Sequence, residues 1–240
     1  MNGYRFSLDK TEAVFFCNYC GIYLTWNIPL GILKEDGILG HRRLKEGMCM
    51  DNRQKILDCA FELFCQRGYD AVGIQEICNE AGITKPTMYH YFGSKAGLLK
   101  ILMEDKMQSV MEALEKVSVF NGNMEQALYD FATVLIDLAN KDHKSYMLLM
   151  TMCYSPKASE VHEIGHPYIV RIYNMAVQLF EQAAYMLGNM YGRQKEFAIG
   201  FMGLVNHYIL YLCFLDDGPV EISEEKKRSL IHQFMHGIYS

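Results

Sequence analysis

Proline is sparse, five in 240 residues, and 19 glycines fall far short of the one in three that a collagen-like chain needs. Charge is modest too: 21% of residues are charged against 50% hydrophobic. That balance is too apolar for a disordered protein and leaves room for one large core or two small ones. Positive charge is not in excess, with 23 Lys+Arg against 28 Asp+Glu and a net charge of −5. Such a chain repels phosphate unless its basic groups gather on one face; the acidic excess falls after residue 106, and residues 51–106 are nearly neutral. Gly-x-Ser-x-Gly, Walker and Rossmann glycine patterns are missing, so no cofactor is expected. The eight cysteines, at 17, 20, 49, 59, 65, 78, 153 and 213, lie mostly inside helical apolar patterns. They fit a reduced cytosolic protein with buried thiols better than a disulfide framework.

The first 49 residues differ from the rest. A mostly apolar stretch over 13–33 is nearly long enough to cross a bilayer, but Asn18, Asn27 and Pro29 interrupt it and no small-residue cleavage site follows. No membrane span or signal peptide is expected. Cys17-x-x-Cys20 lacks a second Cys or His pair at zinc-ribbon distance and reads as two ordinary thiols. Lys45-Glu46-Gly47 can be written in purine-rich codons of the kind bacterial ribosomes bind, a workable distance before Met50. Asp51-x-x-Gln54 then opens an acidic capping box before an apolar-periodic run. Residues 1–49 are therefore expected to be a mis-called or disordered N-terminal extension.

From Asp51 onward Ile56, Ala60, Leu63 and Phe64 share one helical face, and Gly68 stops the run. A short second helix is expected over 74–80, followed by a tight turn at Ala81-Gly82-Ile83. Thr84 is placed to cap a third helix; Pro86 is tolerated in its first turn, where the missing N–H is not needed, and Phe92 is expected in the core. Two short helices joined by a Gly-containing turn make a helix-turn-helix, whose second member fits a DNA major groove.

The spaced combination of Gly68-Tyr69, Ile77, Ala81-Gly82-Ile83-Thr84-Lys85, Thr87-Met88-Tyr89, Tyr91-Phe92, Ser94-Lys95 and Leu98-Leu99 resembles the DNA-binding signature of the TetR (tetracycline repressor) family. The resemblance implies that Lys85, Thr87 and His90, with Thr84 at the helix start, face base edges or nearby backbone. It implies that Tyr89, Ser94 and Lys95 hold phosphates. A helix N-terminus with Lys and hydroxyl donors suits an anion, and phosphate contacts position such a module before bases are read. Two positions depart from the family pattern. Val72-Gly73 replaces a pair of threonines, removing a capping hydroxyl, and Gly97 replaces an acidic residue, removing half of a capping box.

Residues 96–240 carry no strand alternation; capped helical runs recur over 96–117, 123–140, 142–153, 167–187 and 194–215, and Ser223 caps a last helix. The expected fold is all-α. Residues 50–95 form a three-helix DNA-binding domain, and 96–240 form a larger helical ligand-binding and dimerisation domain. Phe197, Phe201, Leu204, Tyr208, Tyr211 and Leu215 recur at alternating four and three, a packing seam, and Phe234 and Ile238 extend it in the last helix. By the resemblance, the last two helices pair with their copies in a homodimer, with Phe197, Phe201, Leu204, Tyr208, Phe234 and Ile238 at the interface. Met147, Met150, Tyr154, Tyr173, Phe180, His207 and Tyr211 are candidate linings for an effector cavity, which the resemblance also implies. Their chemistry suits an apolar or aromatic small molecule.

One rival motif stands out. His162-Glu163-x-x-His166 is a literal HExxH, the zinc-peptidase arrangement of two imidazoles and a carboxylate on one helical face. Pro167 follows at once and is expected to block helical bonding there, a third His is absent, and Glu181 is the only nearby helical candidate for a third ligand. The sequence is thus read as a transcription regulator, a ligand-released repressor acting as a homodimer on palindromic double-stranded DNA. An HExxH metal-binding protein or metallopeptidase is the alternative.

Overall fold

The computed structural model describes residues 4–9, 12–17, 22–27, 52–188, 190, 192–215 and 221–237. The chain divides into two compact units, Met1–Met48 and Cys49–Ser240. In the first, β1 (Tyr4–Asp9), β2 (Glu12–Cys17) and β3 (Ile22–Asn27) form an antiparallel meander in the order β1-β2-β3. Tyr4 pairs with Cys17 and Asp9 with Glu12, while Glu12 pairs with Asn27 and Cys17 with Ile22. No strand is expected here from the sequence, in which the apolar run over 13–33 reads as a single stretch. The run is instead divided between two short strands rich in β-branched and aromatic residues. Cys20, the 45–47 segment, Met50, Asp51 and Ile238, which carried other expectations, lie outside the described residues, as does the Cys17 side chain.

In the second unit the described residues form α1 (Asn52–Arg67), α2 (Ile74–Ala81), α3 (Lys85–Phe92), α4 (Lys95–Val117), α5 (Met124–Lys141), α6 (His143–Cys153), α7 (Glu160–Ala183), α8 (Gln194–Leu215) and α9 (Glu224–His236). The starts are chemically marked. Thr84, Ser94, Asn123, Asp142, Ser159 and Ser223 each accept a hydrogen bond from the backbone N–H three residues on, satisfying a donor that has no partner within its helix. α2 ends at Gly82, whose left-handed backbone, with φ of 65°, is a conformation only glycine adopts without strain.

The core runs without a break from Ile56, Leu57 and Phe64 of α1 through Met88, Leu98 and Leu99 to Phe131, Tyr146 and Phe201. Phe92 is buried in it, as the helical spacing required. One boundary differs from expectation. α7 begins at Glu160, capped by Ser159, and Pro167 lies inside it. Proline's fixed φ is compatible with helix, but in this third turn it removes one amide hydrogen bond and its ring crowds the carbonyl four residues back, a cost that the long apolar run that follows offsets. The all-α class describes this unit.

Buried charge is used sparingly. Lys227 of α9 is 4% exposed and is held by Asp137 of α5 at 3.0 Å and Glu224 at 2.7 Å. Asp142, the cap of α6, accepts from the Ser145 amide at 3.1 Å and its hydroxyl at 2.6 Å, and from Lys106 at 3.3 Å. Burial pushes its carboxyl up, but these donors outweigh burial and hold it below the ordinary carboxylate value. A depressed folded-state value means that stabilisation is present above the unfolded pKa of about 3.9 and is lost as pH falls through the folded value. Wild type is therefore expected to lose more urea resistance between pH 5 and pH 3 than Asp142→Ala, which lacks this term; parallel loss in both would contradict it.

Candidate nucleic-acid interface and effector cavity

The recognition helix α3 is ordered from its cap. Thr84 Oγ1 accepts from the Thr87 amide at 3.4 Å and lies 2.9 Å from the Thr87 hydroxyl. α3 buries Met88 and Phe92 against the other helices and turns Lys85, Tyr89 and His90 outward, with Tyr89 46% exposed. Thr84 is exposed and Thr87 half-buried at the same end. Lys85 and the Thr84 and Thr87 hydroxyls thus stand at the N-terminal end of α3, with Tyr89 and His90 exposed further along it, a donor-rich set suited to phosphate and base edges.

The two phosphate candidates at the start of α4 behave differently from each other. Ser94 is exposed, and its hydroxyl accepts from the Gly97 amide at 2.9 Å, leaving its own proton to donate. Lys95 turns inward: its ammonium donates to the Tyr69 carbonyl oxygen and lies 3.9 Å from the centre of the Tyr69 ring. Burial pushes its pKa below the ordinary lysine value. In this arrangement Lys95 braces the loop after α1 against α4. Sequence spacing placed it at the right helix start but carried no information on which way a four-carbon stem would turn.

The missing threonine is visible as a bare cap. Gly73 stands at the start of α2 in extended backbone with no side-chain hydrogen bond, and a Cβ there would meet nothing within 4 Å. Gly73→Thr is expected to add a few tenths of a kcal/mol to stability through the cap and to tighten DNA binding through the new hydroxyl. Urea midpoints and fluorescence anisotropy at fixed salt would read both, and a lower midpoint would contradict the bare-cap account.

The DNA-binding helices are tied to the rest of the unit at named points. Tyr69 donates its phenol proton to Glu160 at 2.7 Å, so the loop after α1 is joined to the first residue of α7. Burial and then this hydrogen bond push the Tyr69 pKa up, keeping the phenol protonated. Lys144 of α6 pairs with Glu62 of α1.

Deeper in, α5, α6, α7 and α8 converge on a cavity lined by Leu135, Tyr146, Leu149, Met150, Ile169, Ile172, Tyr173, Met202 and Asn206. Its side chains close it to about 10 Å³, room for one water. Of the residues expected there, Met150 and Tyr173 line it and Met147 packs beside the core. Phe180 sits instead in a ring cluster with Phe197, Phe201 and Phe234. Tyr154 is 72% exposed, Tyr211 53% exposed, and His207 is also on the surface, so none of the three lines the cavity. Tyr146 and Asn206 line it without having been expected from the sequence. A lone Asn inside the apolar run of α8 was the available signal. A second, open groove of about 650 Å³ lies between α4 and α7, bounded by Glu115, which pairs with Arg171, and by His166, Val170 and Gln178.

The seam expected at a dimer interface divides in two. Phe201 is 0% exposed and belongs to the core, because it meets Phe131, Phe180 and Phe234. Phe197, Leu204, Tyr208 and Phe234 are half-buried, while Ile199, Gly203, His207 and Tyr211 form an exposed stripe at four-residue spacing. Of the seam residues, Phe197, Phe201 and Tyr208 pack on the chain's own core, whereas Tyr211 is exposed. His162 and His166 do share a face of α7, with stacked rings 4.7 Å apart. Among the described residues no third His, Cys, Asp or Glu completes a metal-holding group with them, so the zinc-peptidase arrangement is not built.

Comparison with known proteins agrees with this geometry. Residues 56–102 match the family "Bacterial regulatory proteins, tetR family". The HTH-type transcriptional activator FasR of Mycolicibacterium smegmatis is 27% identical over 115 residues, covering 48% of this chain and 52% of that protein, so the chain spans about half the length of that relative. The biofilm operon icaADBC HTH-type negative transcriptional regulator IcaR of Staphylococcus aureus is 23% identical over 191 residues, covering 78% of this chain and 82% of that protein. The transcriptional regulator FadR of Bacillus subtilis, solved with stearoyl-CoA, has a TM-score of 0.61 at 17% identity, covering 78% of this chain and 99% of the other. A capped helix-turn-helix of this kind is a DNA-binding element. Residues 56–102 carry the helix-turn-helix of the tetR family, and the helical unit shares the fold of FadR.

Proposed function

We propose that the protein is a ligand-released repressor, a cytoplasmic homodimer whose two α3 helices enter successive major grooves of a palindromic operator. The observation that carries this is the outward donor set along the capped helix α3, Lys85, Thr87, Tyr89 and His90, on a body with a closed apolar cavity. One helix-turn-helix reads a half-site, so symmetric recognition needs two copies. The stripe of Ile199, Gly203, His207 and Tyr211 gives α8 a face for its copy: Ile199 is 49% exposed, and the glycine permits close helix approach. IcaR, a negative regulator aligned over most of this chain, supports repression, and FadR, solved with an acyl-CoA, supports a small-molecule effector. α4 and α7 transmit the signal: α4 continues from the DNA-binding helices, and α7 lines the cavity at Ile169, Ile172 and Tyr173 while its first residue holds Tyr69. A ligand that separates these helices favours a conformation in which the two α3 helices are wrongly spaced, and it shifts the equilibrium only by its difference in affinity for the two states.

Anisotropy on the gene's own upstream duplex against a scrambled duplex of equal length tests this, at stated near-physiological salt. A preference of about a thousandfold is expected. Thr87→Ala and His90→Ala should alter preference among operators, whereas Lys85→Ala should lower affinity more evenly. Equal weak binding to both duplexes, with unchanged profiles for the variants, would remove the regulator reading.

A further inference from the structure

The cavity among α5–α8 has one polar feature. Tyr146, fully buried on α6, donates to Asn206 Oδ1 of α8 at 3.0 Å, and Tyr173 of α7 lines the same cavity. Every other lining side chain is aliphatic or a methionine, and no Lys, Arg, His, Asp or Glu lines the cavity. Burial pushes the Tyr146 phenol up, so it remains a neutral donor. A carboxamide has two N–H donors and two lone pairs; after the Tyr146 hydroxyl is served, it retains donor and acceptor capacity for a further partner. A core that needed only packing would be served as well by an apolar pair of the same shape.

An anion brought here would leave water with no countercharge, at a cost far above one hydrogen bond. A ketone or alcohol loses little hydration and regains it from Asn206 and Tyr173. Met150 and Met202 line the cavity, and their unbranched side chains repack at low cost, so a chain of apolar carbons can open it.

We propose that this cavity takes an uncharged, apolar molecule carrying one neutral carbonyl or hydroxyl group, held by the Tyr146–Asn206–Tyr173 cluster, and that it discriminates against the carboxylate of the same carbon skeleton. The proposal rests on the ligand-responsive reading above for its regulatory meaning, while its chemistry is tested separately.

The probes are 2-nonanone, 1-nonanol and nonanoate, titrated against the full chain at pH 7.5 and followed by isothermal calorimetry, with release of the upstream duplex as a second readout. The ketone and alcohol are expected to bind at least tenfold more tightly than nonanoate. Asn206→Leu should weaken the ketone and alcohol about tenfold, in line with one lost hydrogen bond to a neutral partner. Tyr146→Phe, which keeps the ring, serves as the milder variant and should show a smaller loss of the same sign. Nonanoate binding as tightly as the ketone, no binding by any probe, or neutral binding untouched by both substitutions would each overturn the assignment. Tight neutral binding that leaves the DNA complex intact would uphold the ligand class and overturn the regulatory reading instead.

Discussion

Gly97→Glu, which would restore the carboxylate of a capping box at the start of α4, is expected to destabilise the protein rather than strengthen it. A Cβ at position 97 would lie 2.1 Å from the Phe92 carbonyl oxygen and 3.3 Å from its carbon. The obstructing atom is backbone, and the Phe92 ring that anchors it is packed in the core, so neither side yields cheaply. The favourable half of the cap is already present, since Ser94 accepts from the Gly97 amide. Overpacking of this kind costs about 1–3 kcal/mol, whereas a completed cap gives about 1 kcal/mol at best. The melting temperature should fall by roughly 3–10 °C at the size-scaled rate for such a chain. Because the same turn sets α3 against α4, DNA affinity should fall with it. Gly97→Ala should show most of the effect, and a raised melting temperature in either variant would refute the steric account. The two family departures therefore have opposite characters, with Gly73 an empty place and Gly97 an occupied one.

Gly165→Ala should be nearly as damaging. Gly165 of α7 faces Met152 of α6 so closely that an added Cβ would sit 2.4 Å from the Met152 Cβ. A contact between two Cβ atoms is not relieved by a rotamer change, so the helices themselves must separate. The expected cost is again about 1–3 kcal/mol, read as a lowered urea midpoint with an unchanged slope. α6 and α7 are also two walls of the cavity, through Tyr146, Leu149 and Met150 on one side and Ile169, Ile172 and Tyr173 on the other. The variant should for that reason bind 2-nonanone differently from wild type even where both are folded. A midpoint within error of wild type would mean that α6 and α7 do not pack this closely.

Helix starts were legible because they are written in local chemistry. Thr84, Asn123, Asp142 and Ser223 announce a cap whatever surrounds them, and each one caps in the structure. Phe92 was legible from spacing alone. Pro167 was misread because a proline's effect depends on where in the helix it falls, and Ser159, eight residues earlier, moved the start. The strands over 4–27 were missed because each is six residues long, too short for apolar length to identify.

Side-chain direction separates what the sequence determined from what it could not. Composition, caps and the spaced signature from Gly68 to Leu99 were enough to define a helical protein with a helix-turn-helix and to place Tyr89 outside and Phe92 inside, because those features depend on neighbours within one or two turns. Lys95 folding onto Tyr69, Phe201 facing its own core rather than a partner, and Asn206 meeting Tyr146 across 60 residues were decided by tertiary packing. A helical repeat says that two faces differ. Only the neighbouring helices decide which face is buried, and whether the space beside a glycine is empty, as at Gly73, or filled by a carbonyl, as at Gly97.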